Sequence, residues 1–436
     1  MRRLLPILLV LLLAGSAWAG SFDIFGTGAR AIALGGAYTA LGNDAAGVYY
    51  NIGAITQVHR LQAELMYSYA QPELLINGVA QDIDQHRGSN AGAIIATKIF
   101  DHRVALGLNL FIPDDHAMRF LVLPIEQPHN PFTHNANHVF TVMGGVGVEV
   151  FDWLSVGGGV NVLATEYGSV EFTIKEKEPS EGSEVSKLKP NYAALVGVWT
   201  KPLPWLQAGF MFRDKVEMTL SLPNILTVPP IEVFDGSEVD LIRETQMDII
   251  AETNCHFSPR AYEFGLAFLP TEQWVVSLNL TYAEWSEMSS DAPYGVVYVS
   301  GGLADVFPTQ PAPPPDDPGF NDTWTPSIGV EYLPIKNDGW EAAVRGGYRF
   351  RPTPVPEQKY INNYLDADTH VMSAGLGGKV FRLWKHLPDK LAFDGFFQYH
   401  YSQPRTYHKE YATSTIGDLE FEQSWYNIGV SLTLGF

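Results

Sequence analysis

Arg345 and Arg349 stand four residues apart, a spacing that puts both side chains on one face of an extended strand. Two guanidinium groups on one face, each a fixed fork of N–H donors, can grip a carboxylate head group. Acidic groups inside the protein would meet the same chemistry, and pairing of that kind is the more common use of such arginines. His129, His134 and His138 have spacing that would suit a metal. Their surroundings, Pro128-His129-Asn130-Pro131 and Asn135-Ala136-Asn137, read instead as a solvated loop. Gly26-Thr27-Gly28 with Ala31 resembles half of a dinucleotide fingerprint, but no strand precedes it. The chain contains neither a Gly-x-Ser-x-Gly elbow nor a His-Glu-x-x-His pair. These residues point to binding, with no catalytic residue, metal or cofactor expected.

The elements that must position them are strands. Residues 425–436 alternate without a fault: Tyr426, Ile428, Val430, Leu432, Leu434 and Phe436 on one face, Asn427, Ser431 and Thr433 on the other. A period of two over a membrane-spanning length, ending on an aromatic, fits the closing strand of an outer-membrane β-barrel. The amino terminus reads as an export signal over residues 1–19. Arg2 and Arg3 are followed by an apolar run over 4–13 and a small-x-small site at Ala17-Trp18-Ala19, so the mature chain is expected to begin at Gly20. Beyond residue 19 no apolar run approaches the roughly 20 residues of a spanning helix. In a membrane the chain must then close into a barrel, because lipid offers no partner to unpaired backbone groups. The net charge of −20 disfavours nucleic acid as a partner, and the single Cys255 cannot form an internal disulfide.

Strand character recurs at 61–69, 92–99, 103–112, 138–149, 154–165, 191–200, 206–213, 260–268, 274–284, 324–332, 342–350, 369–380, 391–401 and 425–436, fourteen segments in all. The connections after even-numbered segments are short and those after odd-numbered ones long, as periplasmic turns and extracellular loops require. The expectation is an all-β fold: a 14-stranded antiparallel transmembrane β-barrel over 61–436, preceded by a separate unit at 20–60. The longest loop carries an apolar stretch, with Leu220, Leu222, Ile225, Leu226 and Phe234 suited either to capturing a greasy ligand or to packing against neighbouring loops. Val239 and the residues after it, to Ile250, read as a helical candidate.

Residues 20–60 are too rich in Gly and Ala for a lipid-facing strand. Their text, Gly28-Ala29-Arg30-Ala31-Ile32-Ala33-Leu34-Gly35-Gly36-Ala37-Tyr38-Thr39-Ala40, then Asn43-Asp44-Ala45-Ala46 and Val48-Tyr49-Tyr50-Asn51, resembles the N-terminal hatch of the FadL/TodX family of outer-membrane transporters. Trp285-Ser286, Gly346-Gly347-Tyr348-Arg349-Phe350, Pro354-Val355-Pro356 and Leu365-Asp366-Ala367-Asp368-Thr369-His370 resemble later motifs of that family, in the same order. One departure is Asn51-Ile52-Gly53, where the family usually has Asn-Pro-Ala; proline would fix the bend and glycine loosens it. Another is Ile112-Pro113-Asp114-Asp115, where many members have an aromatic and a glycine.

The resemblance implies passive uptake of long-chain fatty acids or other hydrophobic compounds such as aromatic hydrocarbons. Ligand would be captured on loops, bound in the lumen beside the hatch and released sideways into the membrane through an opening at a kinked strand next to the hatch. It further implies that Phe22, Ile24 and Phe25, together with Asn51 of the hatch, border that ligand, with Arg345 and Arg349 as candidates for its head group. The expected surroundings are outer-membrane lipid and lipopolysaccharide, and the expected state is a monomer. The alternative is a noncatalytic scaffold for secretion or envelope assembly.

Overall fold

The computed structural model describes residues 24–114, 127–133, 141–173, 181–228, 231–234, 239–242, 244–290, 294–301, 310–311, 317–360, 362–381, 389–410 and 416–436. The expected export signal, Phe22, His134 and His138 lie outside these residues. Fourteen strands form the wall: β1 (Leu61–Ile76), β2 (His86–Ile99), β3 (His102–Pro113), β4 (Thr141–Phe151), β5 (Leu154–Thr173), β6 (Glu181–Leu203), β7 (Leu206–Arg213), β8 (Arg260–Thr271), β9 (Trp274–Glu284), β10 (Thr323–Lys336), β11 (Trp340–Arg351), β12 (Thr369–Phe381), β13 (Lys390–Ser402) and β14 (Leu419–Gly435). Each pairs antiparallel with the next. Pairing of β14 with β1, from Gln62↔Gly435 to Ile76↔Phe421, closes the barrel and leaves the wall no free edge.

The period of two decides which face meets what. On β14, Tyr426, Ile428 and Val430 are exposed on the outer face while Asn427, Ser431 and Thr433 are buried inside. Aromatic side chains mark two levels of the outer wall, as at the two interfaces of a bilayer. Phe151 stacks on Trp153 and Trp274 on Tyr332 at the end with the short turns, and Tyr262, Tyr282 and Trp324 cluster at the other. Trp274 and Tyr282 on β9 are separated by roughly 20 Å along the barrel axis at about 3.3 Å per residue and about 40° of tilt. Among the described residues no helix is long and apolar enough to cross a membrane.

Beyond the wall, the longest loop is itself a hairpin. Val216–Val228 pairs with Thr245–Ser258, which also pairs with Tyr294–Gly301, and Val216–Val228 runs parallel to the top of β5. The helical expectation for the region after Val239 is therefore wrong: Val239–Ile242 and Thr245–Ser258 are strands. Partners on both sides of Thr245–Ser258 satisfy its backbone, which outweighs a short helix-like pattern.

Residues 24–58 lie inside the barrel, with helices α1 (Ala29–Ala33) and α2 (Gly47–Tyr50) joined by turns. The wall supplies glycines at many of the points where this segment touches it. Gly92, Gly107, Gly157, Gly197, Gly209, Gly265, Gly329, Gly347 and Gly375, on nine different strands, each face an atom of the segment at a distance that leaves no room for a Cβ. At Gly209 a Cβ would stand 2.1 Å from the Thr39 carbonyl oxygen, and at Gly347 2.2 Å from the Gly35 nitrogen. Gly209→Val should therefore unseat the segment, at an overpacking cost of about 1–3 kcal/mol. The expected readouts are a lower melting temperature in detergent and higher conductance in planar bilayers. Gly395→Ala, on the outer face with no atom nearer than 3.8 Å, should match the parent in both.

Candidate functional site

The inner segment is tied to the wall by charge as well as shape. Arg30 on α1 gives both Nε and Nη2 to Glu331 of β10, at 2.8 and 2.7 Å. Arg345 of β11 donates Nε to the same carboxylate at 2.6 Å and Nη1 to Asp394 of β13 at 2.6 Å. Two arginines and two carboxylates balance, which is what lets four charges sit in a buried network. Arg345 is thus engaged by acidic groups of the barrel. Thr39 donates to Glu263, and Trp199 Nε1 to the Ala40 carbonyl, on the opposite side.

Asn51 is wholly buried and also holds the segment in place. Its Nδ2 donates to the Thr39 and Val198 carbonyls at 2.8 and 2.9 Å, and its Oδ1 accepts from Gly53 N at 3.0 Å. The Ile52-Gly53 departure fits the same wall: Ile52 is buried against Gly145 and Gly159, and a Cβ at Gly197 would stand 2.7 Å from Gly53 N.

Above this floor, on the loop side, lies a cavity of about 100 Å³ whose lining includes Tyr50, Arg213, Glu263, Trp285, Arg349 and Arg351. Arg213 is paired with Glu263 at 2.6 Å and lies over the Tyr49 ring. Arg351 is paired with Asp366 at 3.1 Å and lies over Phe132. Arg349 differs from both. Its Nη2 donates to the Ile24 carbonyl at 2.9 Å, and among the described residues its Nε has no partner and no carboxylate pairs with it. Burial, partly offset by the charge of Arg349, pushes the Tyr50 hydroxyl up to about 12, so it remains a proton donor.

Trp285 of the cavity lining packs against an apolar cluster. Ile24, Phe25, Phe132, Phe320, Tyr364 and Trp425 belong to one buried cluster. Phe25 stacks on His86 at 4.3 Å and meets Trp425 at 5.7 Å, so it is wedged between β2 and β14. Phe132 and Asn130 come from the segment 127–133, which folds inward and donates from Asn130 Nδ2 to Asp366 and Gln423. His129 is buried there, its Nδ1 bonded to the Gln127 carbonyl and its ring edge-on to Tyr364. Neither His86 nor Trp425 was singled out in the sequence, although each stands at an inward position of its strand's alternation.

The loop residues proposed for capture lie on two strands outside the wall. Leu220, Leu222, Ile225 and Leu226 lie on Val216–Val228, paired with Thr253, Ala251, Asp248 and Met247. Phe234 ends the small hairpin strand Ile231–Phe234, across from Val239. Asp366 and Asp368 order the approach to β12, Asp366 through Arg351 and Asp368 by accepting from Thr353 N at 2.9 Å.

A 14-strand barrel with an inner segment and an arginine-lined pocket beside it can be compared with known proteins. The family model described as "Outer membrane protein transport protein (OMPP1/FadL/TodX)" matches residues 10–424. The chain belongs to this family. Its barrel accordingly resides in the outer membrane, and its family is one of transport proteins. Among solved structures, a Pseudomonas aeruginosa FadL homologue is 15% identical with a TM-score of 0.60, over 97% of this chain and 100% of that one. The CymD monoaromatic hydrocarbon channel is 14% identical with a TM-score of 0.55, over 95% of this chain and 99% of that one. The P. putida toluene transporter TodX is likewise 14% identical with a TM-score of 0.55, over 95% and 99%. At such identities the likeness is one of fold. No curated protein sequence matches.

Breaking the buried network should loosen this FadL/TodX-family barrel where its inner segment is anchored. Glu331→Gln leaves Arg30 and Arg345 sharing a neutral amide, which should cost about 3–5 kcal/mol. Thermal unfolding in detergent should show the drop, and trypsin should cleave after Arg30 faster than in the parent.

Proposed function

We propose that this protein carries long-chain fatty acids or related hydrophobic acids passively across the outer membrane, as a monomer, with residues 24–60 as its hatch. The barrel closes within one chain, so no second copy is needed to complete the lumen. Hatch residues touch the wall on at least ten strands, which leaves a ligand above them no straight path to the periplasm. Release is therefore sideways, into the membrane. Lipopolysaccharide is poorly crossed by such ligands, so capture by the apolar residues of the outer hairpin precedes entry to the lumen.

The observation that carries this reading is Arg349. A half-buried guanidinium group with a shielded Nε and, among the described residues, no carboxylate, beside the donor Tyr50 and near an aromatic cluster, suits an anionic head group with an apolar chain. Solved relatives include a toluene transporter and a monoaromatic hydrocarbon channel. Neutral ligands of that kind would leave Arg349 uncompensated, so the acid-bearing class is favoured here. Phe25 and Ile24 would border the chain of the ligand.

Arg349→Ala should weaken palmitate binding about 10- to 100-fold, the value of a charge-assisted hydrogen bond of about 1.5–3 kcal/mol. Native mass spectrometry with palmitate and its methyl ester measures this. The ester, which carries no charge, should bind parent and variant alike. Equal palmitate binding by both proteins would remove Arg349 from the site.

A further inference from the structure

Strands β10 and β11 stop pairing before either one ends. Their last paired residues are Ser327 and Arg349. Yet β10 continues to Thr323, paired with β9 up to Ala283↔Thr323, and β11 continues to Arg351, paired with β12 up to Arg351↔Thr369. The residues of β10 from Thr323 to Pro326 therefore have a strand neighbour on one side only.

Proline is the physical reason. Pro326 has no N–H, and it is already matched with Leu280 on the β9 side. An antiparallel match that includes a proline must be of the kind in which that residue's own backbone groups face the other way, here toward β11. Extending the register would set Pro326 across from Phe350 and Trp324 across from Pro352. Each of these two positions lacks a donor. The strands come together again higher up, where Asn321 N donates to the Pro354 carbonyl at 2.8 Å. Asp322 holds that rim by accepting from the Tyr282 hydroxyl at 2.7 Å and Ser286 N at 3.0 Å. The unpaired stretch is thus a slot in the hydrogen-bond ladder bounded at both ends, roughly 13 Å long for four residues at about 3.3 Å each.

The two faces of the slot differ in chemistry. Its inner side is polar, and Thr323, Thr325, Ser327, Arg349 and Arg351 all line the lumenal cavity. On the outer side are Trp324, Pro326 and Tyr348, exposed at the level of the upper aromatic belt, where the outer leaflet meets water. Unpaired backbone facing lipid is costly, and such a gap is tolerated where it lines a polar cavity. The cavity itself, at about 100 Å³, is well below the roughly 300 Å³ at which ligand pockets begin. It has room for a head group, while a long chain must extend elsewhere. On the other side of the barrel the β1–β2 and β2–β3 ladders run without a register break, so the kinked strand that the resemblance implied is not found there.

We infer that the β10–β11 slot is the lateral portal of this barrel, through which a long-chain carboxylate passes with its head group on Arg349 and its chain leading out between Trp324 and Tyr348. The inference rests on the transport reading above and adds the place of passage and the orientation of the ligand.

A disulfide across the slot tests it. Pro326→Cys with Phe350→Cys, in a Cys255→Ser background, places two thiols at opposed outward positions. Uptake of a pyrene-labelled long-chain fatty acid is measured in cells lacking the parent gene, and palmitate binding by native mass spectrometry. With the bridge formed, uptake should fall at least tenfold while palmitate still binds within twofold of the parent, and reductant should restore uptake. The reduced form serves as the control for folding. Equal uptake by oxidised and reduced forms, with the bridge complete by mass, would overturn the portal. Absence of uptake in the parent protein would instead overturn the transport reading on which it rests. A second variant, Pro326→Thr with Pro352→Thr, restores both donors and should zip the seam. Hydrogen exchange should show new amide protection at these positions, with uptake slowed several-fold; protection gained at unchanged uptake would again overturn the portal.

Discussion

The contact on which the structure depends is that between the backbone of residues 33–53 and the inner wall of the barrel. A 14-strand barrel has a lumen wide enough for water to cross, and here a chain segment fills it. That segment is mostly turns, so many of its N–H and C=O groups have no helix or sheet of their own and must find partners on the wall. Wall glycines let the backbone approach closely enough to be bonded, as where Thr39 N donates to Asn279 Oδ1 beside Gly265 and the Ala40 carbonyl accepts from Trp199 Nε1. Close packing of this kind makes the segment part of the wall.

Charge completes what the glycines begin. Most lumenal arginines are neutralised in place: Arg30 and Arg345 by Glu331 and Asp394, Arg213 by Glu263, Arg351 by Asp366. Such pairs specify geometry more than they stabilise it, since each charge had to leave water. Against that background Arg349 stands out, held by a single carbonyl from Ile24 and facing the cavity. A ligand carboxylate arriving there would supply the counter-charge that the protein withholds. The same hydrogen bond links Arg349 to the amino-terminal end of the inner segment, so binding and the seating of Ile24 and Phe25 are physically connected.

Much of the wall was legible because its code is simple. Strict alternation, as at 425–436 and 274–284, can only be a strand with one apolar face, and the structure has all fourteen strands in the expected order. What failed was local pattern without partners. The region after Val239 has a helix-like rhythm, but two neighbouring strands claim its backbone, and no single-sequence pattern announces a neighbour from another loop. Arg345 and Arg349 were indistinguishable as residues on one strand face; only the positions of Glu331 and Asp394 on other strands separate them. The two prolines that part β10 from β11 were in plain view. Their meaning depends on register, which sets Pro326 and Pro352 at successive donor positions of one seam, and register is fixed only once the barrel is closed.

Together these features describe a lumen filled by an inner segment, with one arginine that has no carboxylate among the described residues and one seam that lacks ladder pairing. The most direct measurement is a crystal structure with palmitate brominated at its terminal carbon, read by anomalous scattering. The account predicts the carboxylate on Arg349 beside Tyr50 and the bromine at or outside the wall between Trp324 and Tyr348. A bromine peak below the inner segment, toward the short turns, would contradict it, because a ligand on that route would have passed the floor built by the glycines.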